Sequence, residues 1–166
     1  MSSTAVSSET SVPTPGVQPS EMKLEVVNLP VADIDRAKSF YQKLGWRLDG
    51  DFAVGDDFRV VQFTPPGSLC SITFGEGVTE AAPGAVQDLM LSVYDVEQAR
   101  ADLLDRGIEV SKVFHYDGGL FHRAGAEGRT SGPDPEGRSY FTWASFSDPD
   151  GNGWLLQEIK ARLPGR

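Results

Sequence analysis

Hydrophobic and polar positions follow the same order in two blocks of the chain. Each block opens with a short run of branched aliphatic residues, at residues 26–31 and again at residues 89–93. An aspartate follows each run, Asp33 in the first block and Asp95 in the second. Aspartate readily accepts hydrogen bonds from the free N–H groups at the start of a helix. The pattern therefore predicts a strand followed by a helix in both blocks.

Helical spacing continues after each aspartate and ends at a glycine. The apolar residues at that spacing are Ile34, Ala37, Phe40, Tyr41 and Leu44 in the first block and Val96, Ala99, Leu103 and Leu104 in the second. Gly45 and Gly107 then favour the end of each helix. Further strand-like runs follow at residues 58–63, 69–74, 140–146 and 154–159. Each block is thus predicted to be a β-α-β-β-β unit.

The two blocks are related by a shift of 62 residues, which lays residues 29–38 on residues 91–100 without a gap. Identical pairs include Leu29 and Leu91, Asp33 and Asp95, and Gly45 and Gly107. A repeat of this kind indicates two copies of one structural unit. We assign unit 1 to about residues 22–84 and unit 2 to about residues 85–160, within one domain of residues 22–166.

The first 21 residues differ from the rest of the chain. More than half of them are Ser, Thr or Pro, and none is aromatic. Such a segment buries too little apolar surface to offset the entropy of ordering it, so residues 1–21 are predicted to be a disordered tail. The tail lacks the basic start and apolar stretch of a signal peptide.

Charge and cysteine content exclude several classes of partner and site. The chain has 15 Lys and Arg against 24 Asp and Glu, a net charge of -9, with no basic block for nucleic acid or an anionic membrane. This acidity favours neutral or cationic small ligands. The single cysteine, Cys70, permits neither an intrachain disulfide nor a cluster of thiolate ligands, and it fits a cytoplasmic protein.

Two motifs carry a family resemblance. The first is Asn-Leu-Pro-Val-Ala-Asp-Ile-Asp-Arg-Ala-Lys-Ser-Phe-Tyr at residues 28–41, followed by Leu-Gly-Trp at residues 44–46. The second is Ser-Asp-Pro-Asp-Gly-Asn-Gly-Trp-Leu-Leu-Gln-Glu at residues 147–158. With the repeat, they resemble the vicinal oxygen chelate superfamily, which includes glyoxalase I, bleomycin-resistance proteins, fosfomycin-modifying enzymes and extradiol dioxygenases. The resemblance implies an α+β fold, in which two tandem β-α-β-β-β units form a curved mixed sheet around a cavity.

The resemblance also implies where a divalent metal ion would bind. The ligand positions of the family fall on Val26, Ser71, Asp88 and Leu155. Only Asp88 is a strong metal ligand, and a divalent ion usually takes at least three. Glu158 does not replace the missing ligands, because alternation along its strand turns it away from the cavity. We therefore expect no metal ion and no other cofactor.

Alternation along the strands separates an apolar face, expected under the helices, from a mixed face expected to line the cavity. Residues 114–139 are rich in glycine and proline and are predicted to be a long inserted loop without regular strands. The loop is either a mobile lid over the cavity or a cover for a sheet end or a dimer contact. The expected ligand contacts are Asn28, Phe58, Gln62, Ser71, Met90, His115, Phe141, Trp143 and Gln157.

Two interpretations of Asp88 stay open: a solvated strand end, or a half-buried general base or anchor for a cationic ligand. Asp88 and His122 are the candidate catalytic pair. The favoured function is a metal-independent small-molecule-binding protein of the glyoxalase and bleomycin-resistance type, with its ligand in the cavity between the units. The alternative is a lyase, isomerase or oxygenase that uses Asp88 and a loop histidine as acid and base or as ligands of a rebuilt metal site. The resemblance also implies a homodimer.

Overall fold

The computed structural model describes residues 18–119 and 123–164, so most of the predicted tail lies outside the described residues. Unit 1 consists of β1 Val26–Asn28, α1 Ile34–Lys43, β2 Arg47–Val54, β3 Phe58–Thr64 and β4 Ser71–Glu76. Unit 2 consists of β5 Leu89–Val93, α2 Val96–Asp105, β6 Phe114–Tyr116, β7 Arg129–Ser131, β8 Trp143–Ser147 and β9 Gly153–Glu158. No helix within these ranges is long and apolar enough to span a membrane.

The strands form two mixed sheets with the same topology. Unit 1 has the order β1-β4-β3-β2, and unit 2 has the order β5-β9-β8-β6-β7. The first strand of each unit runs parallel to the last, and the remaining pairs are antiparallel. The predicted α+β fold of two repeated units is confirmed. The strands are hydrogen-bonded into two separate sheets, and the sheet of unit 2 has β7 as an additional edge strand.

Both helices begin at the aspartates that the sequence singles out. Asp33 and Asp95 each accept a hydrogen bond from the backbone N–H three residues further on, at 2.9 Å in both cases. This bond satisfies one of the free N–H groups of the first helical turn. At the other ends, Gly45 and Gly107 have φ of 79° and 73°, a conformation that glycine adopts without steric cost.

An apolar core lies between the helices and the sheets and includes residues of both units. The Tyr41 ring lies 5.5 Å from the Phe74 ring in unit 1 and 6.4 Å from the Trp154 ring in unit 2. Other buried members are Leu29, Val61, Phe63, Ile72, Val96, Phe146 and Leu156. The strand face predicted to lie under the helices is the one found there. We call the opposite face of each sheet its helix-free face.

The segment 114–139 is more regular than its composition predicts. Strands β6 and β7 lie within it and pair with each other, and β6 also pairs with β8. The glycines that argue against regular structure sit in the turns around these strands: Gly118, Gly125, Gly128 and Gly132 all have positive φ. The prediction of a loop without strands was therefore wrong, because the glycines shape the connections and leave both short strands intact.

Candidate functional site

A large cavity of about 910 Å³ is lined, in the described part of the chain, by residues of unit 2. It lies beside the helix-free face of the unit 2 sheet and reaches the end of the sheet where β5 starts. Its walls are Gln87, Asp88, Glu109, Val110, Ser111, Ala124, Gly125, Ala126, Arg129, Ser145, Phe146, Ser147, Asp148, Gly153, Trp154 and Leu155. The sequence predicted a cavity between the two units. What lies between them is a groove of about 250 Å³ lined mainly by apolar residues.

Asp88 lies half-buried in the wall of the large cavity, directly before β5. Its φ of 60° is in the left-handed region, which aspartate tolerates better than most residues. The turn that holds it is tied down by Gln87, whose Nε2 donates to Gly84 O at 2.9 Å and to Gly151 O at 2.7 Å. Among the expected site residues that the structure describes, Asp88 is the one that lines this cavity.

Arg129 is the cation in the described cavity wall, and nothing in its sequence context distinguishes it beyond a lone arginine after Gly128. Arg129 is the first residue of β7 and pairs with Tyr116, so the two side chains lie on the same face of the sheet. Its guanidinium lies 4.1 Å from the centre of the Phe114 ring, and its Nη1 donates to Ser145 Oγ at 3.1 Å. Its Nε is buried and has no hydrogen-bond partner in the described part of the chain.

Trp143 and Gln157 lie on the expected face but beneath other groups. Trp143 is fully buried in a second apolar cluster with Phe114, Tyr116 and Leu155. Gln157 is buried, and its Nε2 donates to the Tyr140 carbonyl at 3.2 Å. Of these residues only Leu155 reaches the cavity wall. Trp143 and Gln157 therefore lie beneath the cavity surface, and their predicted contact with a ligand stays a prediction.

His115 lies on the other side of its strand from Phe114 and Tyr116, because successive strand side chains alternate. Its Nδ1 donates to the Gly132 carbonyl at 2.8 Å, and it lines a separate depression of about 340 Å³. His115 therefore does not line the large cavity, and its predicted contact with a ligand stays a prediction. Phe141 belongs to that side too, since the Arg138 guanidinium lies 4.5 Å from its ring centre and Arg138 lines the same depression.

Gln62 and Ser71 lie on the helix-free face of unit 1, away from the large cavity. Ser71 Oγ lies 2.7 Å from Thr64 Oγ1, and Thr64 donates to Asp49 Oδ2. Since the Thr64 proton is engaged by that carboxylate, Ser71 is the donor to Thr64. Gln62 Nε2 donates to the same oxygen at 3.5 Å. The polar residues predicted for this face therefore bond to one another.

Asp49 was missed by the sequence analysis because it sits at a β-bulge, where the pairing of β2 with β3 shifts between Leu48 and Gly50. Burial acts to raise the pKa of Asp49. The hydrogen bonds from Thr64, Arg47 and Gln62, with the Arg47 charge, hold that pKa below its usual range. Asp49 is thus an ionised carboxylate whose donors come from its own sheet.

The remaining expected contacts border the groove and the open sheet. Asn28 is exposed, and its Oδ1 accepts a hydrogen bond from Thr73 in the neighbouring strand. Phe58 is exposed at the far end of unit 1. Met90 is also exposed and lines the groove between the units. His122 lies outside the described residues, so its predicted catalytic role stays a prediction.

The family's metal positions do not form a metal-binding set in this chain. Val26 and Leu155 carry no donor atom, and Ser71 already bonds to Thr64. Glu158 Oε2 accepts from Val96 N at 3.2 Å at the start of α2, on the side away from the cavity as its position in the strand predicts. Among residues 18–119 and 123–164, no three or more His, Cys, Asp or Glu side chains group closely enough to hold a metal ion. The donors present do not fit the family's ion.

Comparison with solved structures identifies this fold in proteins of related description. An antibiotic-binding protein from Streptomyces sp. CB03234 shares 26% identity over 86% of this chain and 99% of its own, with a TM-score of 0.62. A glyoxalase/bleomycin resistance protein from the same strain shares 28% identity over 80% of this chain and 97% of its own, with a TM-score of 0.57. A superfamily member from Sphaerobacter thermophilus DSM 20745 shares 23% identity, 83% and 98% coverage and a TM-score of 0.59.

None of the curated proteins compared with this sequence matches it. The family model of the glyoxalase/bleomycin resistance protein/dioxygenase superfamily matches residues 23–156. That span holds both helices, the walls of the large cavity and every strand except the last two residues of β9. The chain therefore belongs to the glyoxalase/bleomycin resistance protein/dioxygenase superfamily.

Proposed function

We propose that this protein binds a small organic molecule of the antibiotic type in the cavity of unit 2, and that it does so without a metal ion. The observation that carries the proposal is the cavity itself. Its volume of about 910 Å³ lies in the range of small-molecule sites, which is roughly 300–1,000 Å³. The resemblance to a solved antibiotic-binding protein supports the same class of ligand.

The cavity wall combines apolar surface with a few separate polar groups. Val110 and Leu155 contribute apolar area, whereas Ser111 and Ser145 carry hydroxyl groups and Asp88 carries a carboxylate. Sites of this composition bury the body of a ligand and fix its orientation through a few hydrogen bonds. Metal independence is supported by the chemistry at the family's ligand positions, since Val26 and Leu155 replace two of the donors there.

The proposed assembly is a homodimer in which a second copy covers the helix-free face of unit 1. On that face Val26 is 39% exposed, Phe52 48%, Val54 68% and Phe58 39%. In unit 2 the Arg129 side chain, from the edge strand β7, lies over the Phe114 ring on the corresponding face. Apolar side chains that stay exposed together on one face of a subunit are typical of an interface between subunits.

Native mass spectrometry and thermal unfolding with a panel of antibiotics test the function. The panel contains a glycopeptide, an anthraquinone, a macrolide and a β-lactam. We expect at least one compound to bind with one molecule per chain and to raise the midpoint of unfolding. The variant Ser147→Trp places a bulky ring at an exposed residue of the cavity wall and should abolish the shift. The control Ser39→Trp, at an exposed residue of α1, should not change it.

An enzyme is the second candidate, and the position of Asp88 in the cavity wall favours it. A carboxylate beside a bound ligand is placed to accept a proton from it. After incubation, mass spectrometry of the released ligand separates the two functions. A binder returns the molecule unchanged. An enzyme returns a product, and Asp88→Asn then slows its formation by about 100-fold or more.

A further inference from the structure

We infer that Arg129 is the recognition cation of the unit 2 cavity and that the ligand there carries a carboxylate or an equivalent pair of hydrogen-bond acceptors. The inference rests on the proposed function and adds the chemical class of the ligand. It reverses the preference for neutral or cationic ligands that the net charge suggests, because the field at the cavity depends on which charged groups line it.

Arg129 and Arg100 are the half-buried cations of the described chain that pair with no carboxylate there, and of these two Arg129 lines the large cavity. Lys38 and Arg59 both bind the carboxylate of Asp51, and Arg100 Nε donates to the Ser111 carbonyl at 2.6 Å. Arg129 is paired only with the Ser145 hydroxyl and the face of the Phe114 ring. Within residues 18–119 and 123–164 it forms no ion pair.

The donor geometry indicates which ligand group fits. Nη1 of Arg129 is already engaged by Ser145, and Nε is buried without an acceptor. Nη2 neither forms a hydrogen bond in the described structure nor is one of its buried unpaired atoms. Because Nε is buried, the donors within reach of a ligand are Nη2 and the second N–H of Nη1. These two nitrogens share the terminal edge of the planar guanidinium, and a carboxylate binds such an edge with two parallel hydrogen bonds.

Two contacts hold the guanidinium in place before a ligand arrives. The Phe114 ring supports one of its faces and the Ser145 hydroxyl fixes one of its nitrogens. Less side-chain entropy is then lost when the ligand binds, which favours affinity. Asp88 and Glu109 also line the cavity, so hydrogen-bond donors of the ligand belong beside these carboxylates.

Three naphthalene probes of similar size and different charge test the inference: 2-naphthoate, 2-naphthamide and 2-naphthylmethylamine. Binding is measured by calorimetry and by the fluorescence of Trp154, which lines the cavity. We expect naphthoate to bind about 10- to 100-fold more tightly than naphthamide, as a charge-assisted pair predicts. Added salt should reduce this difference.

Variants assign the preference to Arg129. Arg129→Gln should remove the advantage of naphthoate, and Arg129→Lys should keep only part of it, because lysine lacks the two-donor edge. Arg123→Gln, an exposed arginine of the same segment, should leave it intact. Circular dichroism and unfolding midpoints confirm that each variant is folded.

Several results overturn the inference. It fails if naphthoate does not bind, if naphthamide or the amine binds at least as tightly, or if folded Arg129→Gln keeps the preference for the acid. These results leave the proposed function standing as long as a compound of the antibiotic panel binds and Ser147→Trp abolishes its binding. Failure of the whole panel overturns the proposed function.

Discussion

Tyr41 Oη donates a hydrogen bond to Asp148 Oδ2 at 2.9 Å and thereby joins α1 of unit 1 to the turn between β8 and β9 of unit 2. Trp154 Nε1 donates to the same Tyr41 oxygen at 3.2 Å. Asn152 Nδ2 donates to Asp148 Oδ2 at 2.8 Å and to the Pro30 carbonyl at 2.9 Å. The Asp-Pro-Asp-Gly-Asn motif therefore acts in this protein as a buried connection between the two units.

Tyr41→Phe tests this connection. The change removes the only group that Trp154 Nε1 donates to in the described structure and one donor to Asp148. We expect the free energy of unfolding to fall by about 1–3 kcal/mol, the usual cost of unpaired buried polar groups. Urea unfolding measures the loss. Tyr94→Phe, at a residue 73% exposed, is the matched control and should change stability little; equal effects of the two substitutions would argue against the connection.

In alkaline solution, the free energy of unfolding of Tyr41→Phe should depend on pH differently from that of the wild type. Burial and the negative charge of Asp148 raise the pKa of Tyr41 well above its ordinary value. The folded protein keeps this proton while the unfolded chain loses it above about pH 10, so the contribution is complete below that pH and is lost above it. The stability difference between wild type and Tyr41→Phe should therefore narrow above about pH 10. Urea titrations across that range measure it, and a constant difference would contradict the assignment.

Asn152→Ala should be more damaging than most surface changes. Asn152 is fully buried, and its amide binds Pro30 and Asp148 while its carbonyl accepts from Val86 N at 3.3 Å. We expect a loss of about 2–4 kcal/mol, since several buried partners become unpaired together. Asn28→Ala, at an exposed asparagine, should cost no more than about 1 kcal/mol. Thermal and urea unfolding compare the two.

Acid stability depends on Asp134. Hydrogen bonds from Arg138 lower the pKa of this buried carboxyl to about 2, although burial acts to raise it. Its stabilising contribution is complete above about pH 4, the value of a free aspartate, and disappears as the pH falls through about 2. Arg138→Gln should therefore lower the free energy of unfolding at about pH 7, and the difference from wild type should vanish toward about pH 2.

Urea unfolding at about pH 7, 4 and 2 measures this dependence. Arg162→Gln, which changes an exposed arginine, should give no comparable dependence on pH. If the Arg138→Gln difference were the same at every pH, the assignment to Asp134 would be wrong.

Self-association tests the proposed dimer. Phe58→Ser removes an apolar side chain that is 39% exposed on the helix-free face of unit 1, and Leu104→Ser removes one that is 41% exposed on α2. We expect Phe58→Ser to raise the dissociation constant of the dimer by about 10-fold or more, as removal of an aromatic anchor does. Leu104→Ser should leave that constant unchanged. Sedimentation equilibrium measures both variants. If the wild type is a monomer at high concentration, the proposed homodimer is contradicted.

Metal independence has a direct test. Protein purified without chelator should contain less than one stoichiometric equivalent of any divalent metal by elemental analysis. Dialysis against a chelator should change neither the midpoint of unfolding nor the affinity for the compound found in the antibiotic panel. One tightly held ion per chain, or loss of binding after dialysis, would contradict the proposal.

Local signals in the sequence predicted most of the fold. The 62-residue shift placed both units, and Asp33 and Asp95 placed the two helix starts, because capping depends on neighbours only a few residues away. The bulge at Asp49 was not predictable in this way, since it depends on how β2 pairs with β3. Strand β7 likewise depends on its pairing with β6.

The cavity was harder to predict than the fold for the same reason. Asp88 could be found because it falls on a repeat position at the start of a strand. The role proposed for Arg129 depends on the pairing of β6, β7 and β8, which brings it beside Phe114 and Ser145. His115 was predicted to meet the cavity because it lies in the segment 114–139, which was interpreted as a lid, while the alternation of a three-residue strand turns it to the other side.

The buried connection through Tyr41 and Asn152 lies among the helices and turns, whereas Ser111, Ala126 and Arg129 line the cavity at the helix-free side. Asp148 and Trp154 take part in this connection and also line the cavity, whereas Ser111, Ala126 and Arg129 line the cavity alone. Cavity residues of this second kind can be exchanged, one at a time, without touching the connection. Ligand selectivity is then open to redesign by libraries confined to those cavity positions, with Asp148 and its partners kept fixed.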